Sequence, residues 1–214
     1  MCLLCWWFKT MCKANDKLFL FSYILGRFVE IHREMTVSNG NAMPSKEILQ
    51  SFSNTRIMKL LYCLCLESLT NLEEPQGENI RINQNNLFEF FGAFSALPNG
   101  PVLLHIYNAL DIIPGFRYEE GHFQEQMSET QCLIPPKYRD RYEKIIHLID
   151  NAVLGLQQNM KKELFMDRDK LVDLTHNLPL WKETFMYEAN KEMSTTLQDL
   201  QREYEQYVLL RSAM

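Results

Sequence analysis

The sequence predicts a mainly α-helical protein: a single compact multi-helix domain, with room for one minor short strand pair, ending in a long amphipathic helix. Three observations carry this. Gly and Pro are scarce, at eight each in 214 residues, while Leu, Met, Phe, Glu and Lys are plentiful, a balance that suits helices better than turn-rich sandwiches or barrels. Several stretches repeat apolar residues at spacings of three and four. No internal repeat and no long polar tract interrupts them. A chain of this size buries roughly 70% of its unfolded surface and needs no staples to fold. The expected organisation is an aromatic N-terminal extension over 1–15 and one helical domain over 16–214.

The first helix is expected over 16–33, where Leu18, Phe21, Ile24, Leu25, Phe28 and Val29 share a face. Gly40 and Pro44 mark the loop after it. A second helix over about 54–71 has a polar start and a middle that is apolar nearly all round, so it is expected to be buried on most sides. A polar connector follows, with a short strand at 80–82. The run LFEFFGAFSA predicts a third helix over 87–96, ended by Pro98, Asn99, Gly100 and Pro101, and VLLHIYNAL a fourth over 102–110. Residues 114–136 read as an irregular excursion and the most mobile segment, since loops of this length are usually functional or disordered.

A strong amphipathic helix is expected over 138–160, with Tyr142, Ile145, Ile146, Ile149, Val153 and Leu156 as its stripe. Asp167 or Asp169 caps the next, short helix, which ends by Asn177 because Pro179 follows closely. In the last element, over 190–211, Met193, Leu197, Leu200, Tyr204, Tyr207 and Arg211 recur at spacings of four and three. This is a seam for the domain itself or for a partner helix, including that of a homodimer. The charges in QDLQREYEQY are read as a solvated face.

Composition excludes some functions. Cys2 and Cys5 form a C-x-x-C with no second pair at zinc-finger spacing, and Cys63 and Cys65 point apart on one helix. Reduced thiols and no metal are therefore expected. The apolar start lacks a basic n-region and spanning length, so no membrane segment is expected and the cytoplasm is the default. A net charge of −5 argues against nucleic-acid binding, which needs a basic footprint. Trp6, Trp7 and Phe8 must dock on the domain or on a partner.

His176 is the most pointed candidate. As a general base it needs a nucleophile or an orienting group within reach, and Asp173 lies one helical turn before it. Yet no G-x-S-x-G occurs, and no cysteine sits in an electropositive helix start. The alternative places His176 at a helix C-terminus, where imidazole satisfies exposed carbonyls, while Trp181 buries its ring and donates its N–H. The residues favour that structural role over an enzyme built on Tyr62, Asp173 and His176. Glu143, His147 and Asp150 share a face, but a di-iron site needs Glu-x-x-His twice. His105 is read as an ordinary helical residue. No catalytic residue and no cofactor is assigned.

Three separated signals fall in one order. A helix carries Lys59, Leu60, Leu61 and Tyr62; a chain break carries Gly100, Pro101 and Val102 with Tyr107 after them; a later helix ends in Leu171, Thr175 and His176, with Trp181 beyond. This pattern resembles the Panacea domain, the SocA-like antitoxin-associated family, over about residues 16–210. Met58 departs from the Gln often found before that lysine, and 94–99 from the Ala-Trp often found before Gly-Pro-Val. The resemblance implies a helical, non-catalytic, cytoplasmic bacterial protein of a mobile element or prophage. Its implied role is to bind and neutralise a cognate protein toxin encoded beside it. The alternative it implies is an adaptor or scaffold in a proteolytic or phage-defence assembly, with a protease or chaperone as partner.

Overall fold

The computed structural model describes the backbone of residues 3–36, 44–70, 83–125 and 136–214, and the side chains within those ranges except at 3–15, 125 and 136–141. In chain order the elements begin with α1 (Leu3–Thr36), α2 (Ser45–Ser51), α3 (Asn54–Glu67), α4 (Leu87–Phe91), β1 (Ser95–Leu97), β2 (Gly100–Val102) and α5 (Leu104–Tyr107). A 3-10 turn at Leu110–Ile112, β3 (Phe116–Glu119), β4 (His122–Glu125) and α6 (Pro136–Asn159) follow. Then come α7 (Lys162–Met166), α8 (Arg168–His176), α9 (Pro179–Tyr187) and α10 (Leu197–Ala213). The protein is mainly α, with two small antiparallel strand pairs among the described residues. Contacts group the backbone into two compact units, 1–52 with 105–142, and 53–104 with 143–214.

In the first unit, α1 is apolar beyond a single stripe: Leu20, Phe21, Ile24, Leu25 and Phe28 are fully buried. Helix α2 packs on α1 and on β4, burying Ile48, Leu49 and Phe52. Ser22 donates to the Pro114 carbonyl at 2.6 Å, and Arg33 to Ser45 Oγ at 2.6 Å. Strands β3 and β4 turn through Glu120 and Gly121, at φ 52° and 86°. Two left-handed residues in a two-residue turn match the natural twist of paired strands. Tyr118 and Phe123 oppose each other across this pair, rings 4.9 Å apart. The segment read as an irregular excursion thus contains a regular hairpin. Its strands are too short to show alternation clearly in sequence.

The second unit is organised by α3, in which every residue from 56 to 67 is buried. Ser53 caps it, accepting from Arg56 N at 3.2 Å. Tyr62, Phe88 and Phe94 meet edge to face, with centroids 4.9–5.9 Å apart. Helices α8 and α10 and strand β2 pack on α3. Asp167 caps α8, accepting from Asp169 N and Lys170 N at 2.8 and 3.1 Å. Pro179 opens α9, where its missing N–H costs nothing.

Expectation and structure part at three places here. The helix expected over 87–96 stops at Phe91, because Gly92 (φ 91°) turns the chain and 95–97 enter a strand. The helix expected over 102–110 is shortened to α5 and the 3-10 turn, since 100–102 pair with β1. The last helix starts at Leu197 rather than 190, because Ala96 exchanges backbone bonds with Asn190 and Lys191, and Met193 N donates to Phe94 O. Helices α2, α7 and α9 were not expected. The strand read at 80–82 and the side chains of Trp6, Trp7 and Phe8 lie outside the described residues.

The proposed partner seam turns inward. Met193, Leu200, Tyr204 and Tyr207 are buried as α10 packs on α3, α8 and α9 of its own unit, and only Leu197, at 43% exposure, remains open. The face taken as solvated also holds Glu203, which is fully buried. Further along the same stripe, Tyr207 and Arg211 meet Glu67 of α3: its carboxylate pairs with Arg211 and accepts from the Tyr207 hydroxyl at 2.8 Å and from Asn159 Nδ2 at 3.3 Å. Gly155 leaves room for it: an added Cβ would stand 3.0 Å from Glu67 Oε2. Breaking a buried ion pair from one side costs about 3–5 kcal/mol, whereas replacing both charges by apolar groups is often neutral. Arg211→Met is therefore expected to lower the urea unfolding free energy by about that amount. Glu67→Met with Arg211→Met should recover most of the loss. A single variant as stable as the parent would mean that the pair is not closed in solution.

Candidate functional site

The β1–β2 turn is where the sequence signals meet. Pro98 presets φ at the first turn position, and Gly100, at φ 97°, supplies the left-handed residue that closes a hairpin after a type I turn. Ala96 faces away from β2, spending its N–H and C=O on Lys191 and Asn190. Its register partner is Pro101, whose carbonyl therefore also points outward. Lys59 Nζ, reaching across from α3, donates to that carbonyl at 2.9 Å.

Gly100 makes this approach possible. A Cβ there would lie 2.7 Å from Lys59 Cε and 2.9 Å from Thr175 Oγ1. Thr175 is held in place by donating to Leu171 O and Val172 O at 3.0 and 3.1 Å. From α9, Trp181 Nε1 donates to Leu97 O at 2.9 Å. The His176 ring stacks on Trp181, with centroids 3.9 Å apart and planes at 6°. Phe185 also stacks on Trp181, with centroids 4.9 Å apart. Three helices thus grip one turn.

A second buried junction adjoins the first on α3. The Tyr62 hydroxyl donates to Glu203 Oε1 at 2.5 Å, and Leu180 N donates to Oε2 at 2.8 Å. Glu203 serves α9 as a cap delivered from another helix, where Leu178 offers none. Burial sets the protonation here. It pushes Lys59 down to about 7. It pushes Glu203 up to about 7, against the hydrogen bonds from Leu180 and Tyr62. His176 is lowered by burial first and by Lys59 next, while Asp173 and the Asn99 backbone act in the other direction.

The structure therefore brings together Lys59, Gly100, Pro101, Thr175, His176 and Trp181. Leu60, Val102 and Leu171 are buried around them. Tyr62 joins Glu203 instead, and Tyr107 belongs to the other unit, 37% exposed. His176 does not serve its own helix carbonyls as expected: Asn177 does so, donating to Asp173 O at 2.8 Å. Trp181 is buried and donates its N–H as expected. Tyr62, Asp173 and His176 do not form the array considered for an enzyme, since the Tyr62 hydroxyl is spent on Glu203 and Asp173 is exposed. Glu67 and Glu203 were missed, although Glu203 lies on the apolar stripe between Leu200 and Tyr207. Among the described residues no cluster of three or more His, Cys, Asp or Glu is placed to hold a metal ion, and no helix is long and apolar enough to cross a membrane.

Fold and site together define a mainly helical protein whose conspicuous residues clamp a backbone turn. No family model matches the chain, and neither a curated protein nor a solved structure does so.

Gly100→Ala is expected to destabilise the protein by about 1–3 kcal/mol through its left-handed φ alone, with the overlap on Lys59 added. Gly121→Ala, also left-handed (φ 86°) but with nothing within 4 Å, should cost distinctly less. Equal urea midpoints for the two variants would count against a tight clamp. The two buried ionisable groups predict a pH profile with opposite arms. Glu203 binds its proton more tightly when folded, so its contribution is present below about pH 4.5 and is lost as pH rises towards 7. Lys59 binds its proton less tightly when folded, so its contribution is present above about pH 10.5 and is lost as pH falls towards 7. Urea titrations across this range should show the acid arm flattened in Glu203→Gln and the alkaline arm flattened in Lys59→Met.

Proposed function

We propose that this chain is an antitoxin-like protein of the Panacea (SocA-like) kind, which binds a protein toxin encoded next to it and neutralises it by direct contact. The observation that carries the reading is the meeting of the three resemblance signals around one turn: Lys59 on the Pro101 carbonyl, Gly100 against Lys59 and Thr175, and His176 stacked on Trp181. That Lys59, Gly100, Pro101, Thr175, His176 and Trp181 meet at one turn supports the reading, while Tyr62 and Tyr107 of the same pattern stand apart from it. The clamp serves binding by rigidity. A surface fixed before the partner arrives loses less conformational freedom on association, and so retains more of its contact energy as affinity.

In this reading the clamp residues are interior supports, and the toxin meets exposed side chains around them. Neutralisation then needs stoichiometric complex formation and no turnover. Co-expression with each product of the flanking genes tests it, scoring host growth and then co-purification. The expected result is one neighbour that arrests growth alone, with growth restored and a fixed-ratio complex recovered when this chain is present. Absence of any toxic neighbour, or rescue without a complex, overturns it. Rescue accompanied by loss of the toxin would point to the adaptor role instead.

A further inference from the structure

The chain reverses between α9 and α10 without help from glycine or proline: neither residue occurs after Pro179. The bend falls at Asn190, whose φ of 69° is left-handed. Every residue but glycine takes that conformation at some cost, and asparagine is among those that tolerate it best. The bend also runs against the local sequence. Glu188 and Ala189 are helix formers, and Ala189 follows Trp181 and Phe185 at the four-residue spacing of one helix face. By local preference α9 would continue straight through 188–190. All three of these residues are exposed.

What holds the bend closed lies beyond it. Residues 190–193 run along β1: Asn190 N donates to Ala96 O at 2.9 Å, Ala96 N to Lys191 O at 2.9 Å, and Met193 N to Phe94 O at 2.7 Å. Helix α10 then docks through specific polar pairs, Glu203 with Tyr62, Tyr207 with Glu67, Tyr204 with Thr70, and Arg202 with Glu183 of α9. None of these contacts depends on which copy of the chain supplies the arm. An identical arm from a second molecule makes every one of them, and only the hinge differs.

A separate observation marks the hinge as a meeting place. Met186 and Tyr187 close α9 immediately before the bend and stand 81% and 92% exposed. Among the described residues no other large apolar side chain is as open. When two arms are exchanged, the two hinges lie side by side about a two-fold axis. The methionine and tyrosine of one copy then cover those of the other, removing an exposed apolar tip from water.

We propose that residues 191–213 form an exchangeable arm whose second partner is another copy of this chain. The hinge at 188–190 straightens, each arm docks on α3, α8 and α9 of the other molecule, and Met186 and Tyr187 pack across the resulting dimer. This stands independently of the antitoxin reading. Exchange relieves the left-handed bend and covers apolar area; against it stands the freedom lost when two molecules become one. The outcome therefore depends on concentration, and exchange is slow because α10 must undock first.

Refolding the full chain from urea at low and high concentration, followed by size exclusion with light scattering, tests this. The dimer fraction should rise with the concentration of refolding and persist when the refolded sample is diluted. The exchange itself is read in Arg202→Lys, which places an amine beside the exposed Glu183 carboxylate for carbodiimide coupling. On a denaturing gel the 183–202 link should join two chains in the dimer fraction and stay within one chain in the monomer fraction. Asn190→Gly takes the bend freely and should weaken the dimer by about tenfold, since each dimer contains two hinges. Asn190→Ala disfavours the bend and favours a straight helix, so it should strengthen the dimer by a similar factor. A chain that refolds as a monomer at every concentration overturns the proposal. So does a dimer whose 183–202 link never joins two chains, or one indifferent to both Asn190 variants.

Discussion

Helix α3 has no face left for water, and that constraint governs the second unit. Arg56, Lys59, Tyr62 and Glu67 all stand on a stretch where every residue is buried. A hydrogen bond made in such a place is worth about 0.5–1.5 kcal/mol net, but a buried polar group left without one costs about 1–3 kcal/mol. Each of the four must therefore be answered, and three parts of the chain answer them: the end of α7, strand β2 and helix α10. Arg56 reaches the Phe165 carbonyl at the end of α7, Lys59 the Pro101 carbonyl, Tyr62 the carboxylate of Glu203, and Glu67 the hydroxyl of Tyr207 and the guanidinium of Arg211. Apolar burial would let these elements slide along α3 with little change in area. The polar pairs fix where they stop.

The same logic passes outward. Glu203 divides its two oxygens between Tyr62 and the backbone of α9, so α10 fixes the start of α9 as well as its own register. Helix α9 then delivers Trp181 to the Leu97 carbonyl, and Trp181 in turn supplies the face on which His176 lies. The turn at 97–101 is held by a chain of contacts that begins in the core. Residues near it are conspicuous because they connect layers.

Much of this was legible in the sequence. The all-round apolar middle of α3, the cap at Asp167 and the inward Trp181 follow from period, capping chemistry and the amphipathic character of indole. The short elements were not legible. In LFEFFGAFSA the aromatic spacing fits a helix, and nothing local says that Gly92 will adopt a positive φ and send Phe94 back to Tyr62. Three-residue strands show too little alternation to be separated from loop, and α2, α7 and α9 are shorter than the window in which periodicity speaks. Glu203 and Glu67 were hidden for another reason. A carboxylate on an apolar stripe is ordinarily a surface residue at the stripe's edge, and only the partners at Tyr62, Tyr207 and Arg211 show that these two belong inside.

The pairing of Glu67 with Tyr207 and Arg211 spans 140 and 144 residues of chain, and that of Tyr62 with Glu203 spans 141. Contacts of such separation form late, because the closure entropy of the intervening chain must be overcome before they contribute. Until α10 docks, α3 is a helix with unanswered polar groups on a surface too apolar to leave in water, and it has no stable resting place. Partly assembled forms are then penalised twice, by exposed apolar area and by orphaned polar atoms. Folding of this unit is accordingly expected to be steeply cooperative, with the docking of α10 as the step that separates an unfolded chain from a finished one.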